Sequence, residues 1–494
     1  MVKKIIKRFN SFKNNCEPAY IEYCKLPIDE KLVLLEGGQG SNINGNMFSM
    51  LKELNTNPRW KEYTCAFVVT EDTMEKAKKR MAFYGFKDVV LSVRNSKEYL
   101  KHLATAKYVM TDNSFPPYFN KRDEQIFFNT WHGTPLKTLG KANKSSLSSI
   151  GNVQKNYLMS DYALFPNEFT RNVFMDDYYL RNIYKGKSLI ANYPRNYIFY
   201  DAQAGVEMKK KLGYEGKKIY AYMPTWRDAA NDMQKAASIK ETEAILREFD
   251  KKLDDSSVLL VNLHFLLSSE INCDKYKHVE YFSGDYDTYE ILNACDGLIT
   301  DYSSVFFDFA ITGKKVILFA YDKEKYLSTR GTYMPFEDLP FAIVEKVGDV
   351  VREMQKPYEV SKEFLNEYCP NGSIDSCEKL FEMLVTGESD VYKIETTIPE
   401  NEKTCLVYAG ALPDAHMGGL KIFKEQNPDY KYIVAYRRNL SQAKKDAIEA
   451  IDPAITLYGL LNAFQFTFKE FFVFIVFRLF GKVICGETLS NFFE

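Results

Sequence analysis

Long apolar runs are missing from this chain. Its longest nearly apolar tract, residues 471–477, is far shorter than the ~20 residues a membrane-spanning helix needs. The amino terminus lacks the apolar stretch of a secretory signal, so the expected compartment is the cytoplasm. No CxxC pair occurs among the nine cysteines, at positions 16, 24, 65, 273, 295, 369, 377, 405 and 485. That argues against both a zinc site and a disulfide framework. Net charge is also nearly absent: 65 Lys plus Arg stand against 66 Asp plus Glu, and the global basic footprint of a nucleic-acid binder is lacking. Histidine (five) and tryptophan (three) are scarce.

What is present reads as α/β. At 494 residues the chain is too long for one core and calls for roughly two or three domains. Short apolar runs at 32–35, 66–69, 89–92, 108–111, 125–129, 162–165 and 188–191 alternate with helical patterns, which predicts a first doubly wound unit over 31–192. A turn-rich joint at 192–196 precedes runs at 218–222, 258–261, 297–300 and 316–319, a second parallel sheet over 193–390. Residues 391–403 read as a polar linker. Residues 404–494 read as a partial third α/β segment with strands at 405–409 and 432–436 and a Phe-rich stretch at 463–480. A buried helix is the favoured reading of that stretch over an interfacial anchor.

Chemistry concentrates where strands end. His132 follows the apolar run 125–129, and Gly133 and Pro135 then force a turn. Strand ends of one sheet edge face a common crevice. Taken alone, His132 and Trp131 are more readily packed loop residues than catalytic ones. In the second unit, however, three strand ends each offer polar or cationic groups: Thr225 with Arg227, then His264 after Asn262 and Leu263, then Ser303 with Ser304. The two serines stand at a helix start, where hydroxyls and free N–H groups suit a phosphate. Simple capping by Asp301 or Ser303, worth about 1 kcal/mol, is the competing account. The glycine-rich loop 36–42 is a weak nucleotide motif, being neither GxGxxG nor a P-loop. His102, His278 and His416 receive no role.

Trp131-His-Gly-Thr-Pro-Leu-Lys-Thr-Leu-Gly140, Tyr222-Met-Pro-Thr-Trp-Arg227 and Leu298-Ile-Thr-Asp-Tyr-Ser-Ser-Val-Phe-Phe-Asp-Phe309 resemble motifs of the CDP-glycerol glycerophosphotransferase family. That family builds teichoic acids and related poly(alditol phosphate) polymers of wall and capsule. The resemblance spans about residues 32 to 381. It implies two Rossmann-like domains in a GT-B arrangement and transfer of glycerol phosphate from CDP-glycerol to a hydroxyl of a lipid-linked polymer acceptor, with CMP released. It further implies His132 as the base and His264 at the donor pyrophosphate. Trp131, Gly133, Thr134, Pro135, Arg195, Pro224, Thr225, Arg227, Asn262, Leu263, Asp285, Tyr286, Ser303, Ser304 and Arg330 would bind the donor. Asn262 and Phe265 flank His264 where the family often has Lys and Pro, so ribitol or another alditol stays open.

No acidic cluster is arranged for a divalent ion. No metal or cofactor is required on this reading, although Mg²⁺ riding loosely on the pyrophosphate fits it. Ile5, Phe9 and Phe12 recur at helical spacing among five cationic residues. This is equally a frayed soluble helix or an amphipathic one on an anionic membrane surface, the latter giving a peripheral enzyme on the cytoplasmic face of the cell membrane. Two other functions remain open at this point: a GT-B glycosyltransferase using a nucleotide sugar, and a non-catalytic membrane-associated scaffold.

Overall fold

The computed structural model describes residues 16–143, 150–227, 232–329, 331–396, 403–408, 414–437 and 441–460, together with 467, 469, 470 and 473. The basic amino-terminal stretch, Arg330 and nearly all of the Phe-rich stretch lie outside the described residues.

The short apolar runs become buried strands. β1 (Asp29–Glu36), β2 (Thr64–Val69), β3 (Val89–Val93), β4 (Ala106–Thr111), β5 (Ile126–Asn129), β6 (Tyr162–Phe165) and β7 (Lys187–Ile190) form one sheet in the order β7-β6-β5-β4-β1-β2-β3. All of these pairs are parallel. Both faces are covered, which is why Val33, Leu34 and Leu35 follow one another without polar alternation and are all fully buried.

The second sheet comprises β8 (Lys218–Met223), β9 (Ser257–Val261), β10 (Val279–Tyr281), β11 (Gly297–Thr300), β12 (Lys315–Phe319) and β13 (Ala342–Val344), in the order β10-β9-β8-β11-β12-β13. It too is parallel throughout. The two doubly wound units form the GT-B arrangement. β10 and β13 have three residues each, runs too short to be read as strands beforehand.

Two boundaries differ from the sequence reading. The helix Ser376–Thr386 falls within the span expected for the second unit, yet it packs on the first. Phe381 explains this: fully buried, it meets the rings of Trp60 and Tyr63 edge-on, each at 5.0 Å. Burying such a side chain contributes about 2–3 kcal/mol. Within the expected linker, β14 (Ile394–Thr396) pairs antiparallel with β7 and extends the first sheet to eight strands. The carboxyl-terminal segment also goes beyond a single βαβ. β15 (Thr404–Tyr408), β16 (Lys431–Arg437) and β17 (Thr456–Leu460) make a three-stranded parallel sheet. It rests on the first unit through Tyr432, Val434 and Leu457, which share a core with Trp131, Tyr157 and Phe174. Gln154 ties the two together, donating to Leu457 O at 2.8 Å.

Candidate active site

Each sheet reverses its strand order once, between β1 and β4 in the first and between β8 and β11 in the second. Loops leaving the carboxyl ends of such strand pairs diverge, and a crevice opens between them. Residues 37–42 and Asp112 border the first crevice. Residues 224–227 and 301–304 border the second.

His132 is presented to the first crevice by a strained turn. Trp131 adopts φ +52°, a left-handed conformation costing a bulky residue about 1–3 kcal/mol. Three contacts hold it there. Asn129 Oδ1 accepts from Trp131 N at 2.9 Å, Asn46 Nδ2 donates to Trp131 O at 2.9 Å, and the indole packs against Phe174 at 5.0 Å. The His132 ring lies on the indole at 4.2 Å, with its Nδ1 2.7 Å from the Asp112 carbonyl oxygen. A carbonyl only accepts, so Nδ1 carries the hydrogen and Nε2 presents its lone pair. The imidazole keeps an open face on the crevice while protein crowds the rest. That crowding holds its pKa below the ordinary value near 6.5; Asp112 opposes the effect and Arg195 adds to it.

The second crevice is framed by a network rather than by free groups. Arg227 donates twice to Asp322, at 2.7 and 2.9 Å, and once to Thr225 O at 2.6 Å. It also pairs with Asp301 at 3.0 Å. Asp301 in turn accepts from Thr225 N at 2.9 Å and Tyr302 N at 2.6 Å, which fixes both loops. Arg227 therefore holds the walls in place. Capping does not account for the serines: the helix Val305–Ala310 starts at Ser304 with no side-chain cap, and Ser303 Oγ receives only a 3.5 Å approach from Val305 N. His264 opens a one-turn helix and stacks on Trp226 at 5.0 Å. Leu266 N donates to its Nδ1 at 3.4 Å, which leaves the hydrogen on Nε2. Two of the three tryptophans thus each lie flat on an imidazole, and the two rings have opposite character.

The two crevices meet at Gly133. A Cβ there would stand 2.6 Å from Ser304 Oγ and 3.9 Å from Arg195 Nη2. Arg195 is buried, flanked by the rings of Tyr193 and Tyr289 at 4.8 and 5.1 Å, and bonded to Asp308 at 2.6 Å. Burial alone would weaken its hold on the proton, but Asp308, together with Tyr289 and Tyr193, more than offsets it and the guanidinium stays charged. Asn196 and Tyr289 complete the shell of Asp308, at 2.9 and 3.1 Å. The units are joined elsewhere as well. Arg80 donates to Gly284 O (2.6 Å) and Tyr286 O (2.9 Å), Gly45 N donates to Asp287 Oδ2 (3.1 Å), and Thr138 N donates to Gly331 O (3.0 Å).

Of the residues expected here, His132, Gly133, Arg195 and Ser304 come together, while Pro224, Thr225, Arg227, Ser303 and His264 line the second set of strand ends. Asp285 is exposed and Tyr286 packs on Phe83 at 5.0 Å, beside the joint between the units. Thr134, Pro135 and Leu263 are buried, Thr134 Oγ1 accepting from Asn167 Nδ2 at 3.3 Å, and Asn262 continues the sheet through its N–H to Tyr222 O at 3.0 Å. The sequence reading missed Asn46, Asp112, Trp226 and Asp308. Asp308 stands inside the third motif and Trp226 inside the second, but their partners lie far away in the chain. Among the described residues, no group of three or more His, Cys, Asp or Glu is placed to hold a metal ion, and no helix is long and apolar enough to cross a membrane.

Residues 19–381 match the family model described as CDP-glycerol:poly(glycerophosphate) glycerophosphotransferase. A teichoic acid poly(glycerol phosphate) polymerase of Bacillus spizizenii is 28% identical over 73% of this chain and 93% of its own length. A teichoic acid glycerol-phosphate transferase of Staphylococcus aureus is 30% identical over 55% of this chain and 72% of its own. For the Staphylococcus epidermidis polymerase, 30% identical, the match spans only 39% of that protein. The solved structure of the wall teichoic acid polymerase TagF superimposes with a TM-score of 0.63 at 23% identity, covering 78% of this chain and 98% of the other.

Proposed function

The chain belongs to the CDP-glycerol:poly(glycerophosphate) glycerophosphotransferase family of teichoic acid synthesis, and we propose that it transfers glycerol phosphate from CDP-glycerol to a hydroxyl of a lipid-linked polymer, releasing CMP. The observation that carries this reading is the pairing of a proton acceptor with an anion cradle: His132, its Nδ1–H held by Asp112 O, stands on the loop that touches Ser304 and Arg195.

The chemistry follows from those positions. Nε2 of His132 takes the proton of the acceptor hydroxyl as that oxygen bonds to the β-phosphorus. The bond from that phosphorus to the bridging oxygen breaks, and the electron pair leaves with CMP. Negative charge builds on the leaving and equatorial oxygens. The fixed cation of Arg195, the serine hydroxyls and Nε2–H of His264 are the groups available to stabilise it. These donors are positioned before substrate arrives, so little reorganisation is needed in the transition state.

No resident metal enters this account; Mg²⁺ arriving on the diphosphate is compatible with it. The basic amphipathic stretch at residues 3–13 supports a peripheral site of action on the cytoplasmic face of the membrane. Purified protein incubated with CDP-glycerol and a lipid-linked primer should release CMP and lengthen the primer by glycerol phosphate units. Parallel reactions with CDP-ribitol, with a nucleotide sugar and with added EDTA separate the other donors and a metal requirement. Absence of CMP with every CDP-alditol would reject the proposal.

A further inference from the structure

One buried acid stands beside the base, and its carboxylate has no part in the chemistry above. Asp112 is 2% exposed and leads out of β4 at the strand-order reversal of the first sheet. Its carboxylate accepts from Gly38 N at 2.7 Å, and its carbonyl oxygen lies 2.7 Å from His132 Nδ1. Gly38 is suited to that task by its backbone. Its φ is +50°, and a Cβ there would meet Asn42 Cβ at 2.9 Å. The rest of the glycine loop is bonded to itself, Gly40 N and Asn42 N to Gly37 O and Ser41 N to Gly38 O. The loop is therefore a rigid mount for Asp112.

We propose that Asp112 is a positioning residue for His132, acting through Gly38, which fixes its carbonyl against Nδ1–H, and through the charge of its carboxylate, which steadies the imidazolium formed as the acceptor proton arrives. This rests on the reading of His132 as the base. The proton moves from the acceptor hydroxyl to Nε2, Nδ1 keeps its own, and Asp112 takes neither. The other charged groups bearing on the pair are Arg195, itself bonded to Asp308, and Glu36, which is bonded to Arg94 and Tyr99. Arg195 works against the imidazolium, so Asp112 supplies the offsetting charge.

The test is Asp112→Asn, which keeps an acceptor for Gly38 N and removes the charge. Histidine labelled at Cε1 with carbon-13, assigned with His132→Ala, reports the His132 pKa by NMR whether or not the enzyme turns over. The expected result is a His132 pKa about one unit lower, with kcat down about tenfold and the acid limb of kcat/KM displaced to lower pH by the same interval. An unchanged His132 titration overturns the proposal even if activity falls. If Asp112→Asn does not fold, Gly38→Ala decides: a Cβ there meets Asn42 Cβ at 2.9 Å and displaces the mount, which should lower the His132 pKa and kcat together, and an unchanged His132 titration overturns the proposal. Failure of the wild type to release CMP would reject the function while leaving the NMR result to judge the electrostatics.

Discussion

Gly133 and Ser304, from separate sheets, approach so closely that a single methyl group on the glycine would stand 2.6 Å from the serine hydroxyl. This contact places the loop bearing His132 against the start of the helix Val305–Ala310. It makes one site out of two strand-order reversals. Glycine is needed here for space, since its φ is not in the left-handed region.

Gly133→Val should therefore separate activity from stability. Overpacking of this kind costs about 1–3 kcal/mol. Displacing the base by an ångström costs about 10²-fold in rate. A fall in kcat/KM of that order, with a modest drop in Tm, is expected. Unchanged kinetics would show that the loop need not touch Ser304.

Asp308→Ala should damage the fold itself. Arg195, 7% exposed, would lose its carboxylate partner and remain charged in a buried place. Leaving one member of a buried pair costs about 3–5 kcal/mol. Denaturant unfolding should show that loss. Asp308→Asn, which retains the bonds from Asn196 and Tyr289 in part, should fall between the variant and the wild type.

The joint between the units carries its own pH dependence. Asp287 accepts from Gly45 N and caps the helix Thr288–Ala294 through Tyr289 N. Burial first, and then nearby Glu290, push its pKa up to about 6. A carboxyl that holds its proton more tightly folded than unfolded lowers stability as pH rises from the unfolded value near ~3.9 to about 6. Below that window the native state is fully favoured by this group, and above it the loss is complete, on the order of 3 kcal/mol. The stability difference between wild type and Asp287→Asn should accordingly move in favour of the variant across that window and level off above it. A difference that does not vary with pH would contradict the account.

His264→Ala should reduce CMP release by at least ~10²-fold, the scale of a positioned acid–base group. Because its Nε2 is a donor, His264→Asn should recover part of that rate by offering an N–H. His264→Phe should not, although it retains the stack on Trp226. Equal rates in the two variants would remove His264 from the site.

Much of this arrangement could be read in the sequence, for reasons that differ by feature. Runs such as Leu32 to Leu35 reveal a two-sided sheet because they are apolar at every position. Strand ends then indicate where His132, His264 and Ser303–Ser304 must surface. The order of strands within a sheet depends on long-range pairing, so the reversals that make the crevices were not visible. The bracing of the second crevice by Arg227 could not be read beforehand, because its partners, Asp301 and Asp322, lie 74 and 95 residues further along. The return of Phe381 to the first unit was hidden for the same reason: Trp60 is a distant partner in sequence. Asp112 directly follows the apolar run 108–111, but nothing in the string joined it to His132 twenty residues later.

The decisive measurement is CMP release from CDP-glycerol by His132→Ala, followed in a single turnover over a range of pH. Wild-type kcat/KM should rise through an acid limb set below pH ~6.5, because crowding favours the neutral imidazole that accepts the proton. In His132→Ala that limb should vanish, with a rate at least ~10² lower. A variant that releases CMP at the wild-type rate, with the same acid limb, would contradict the account.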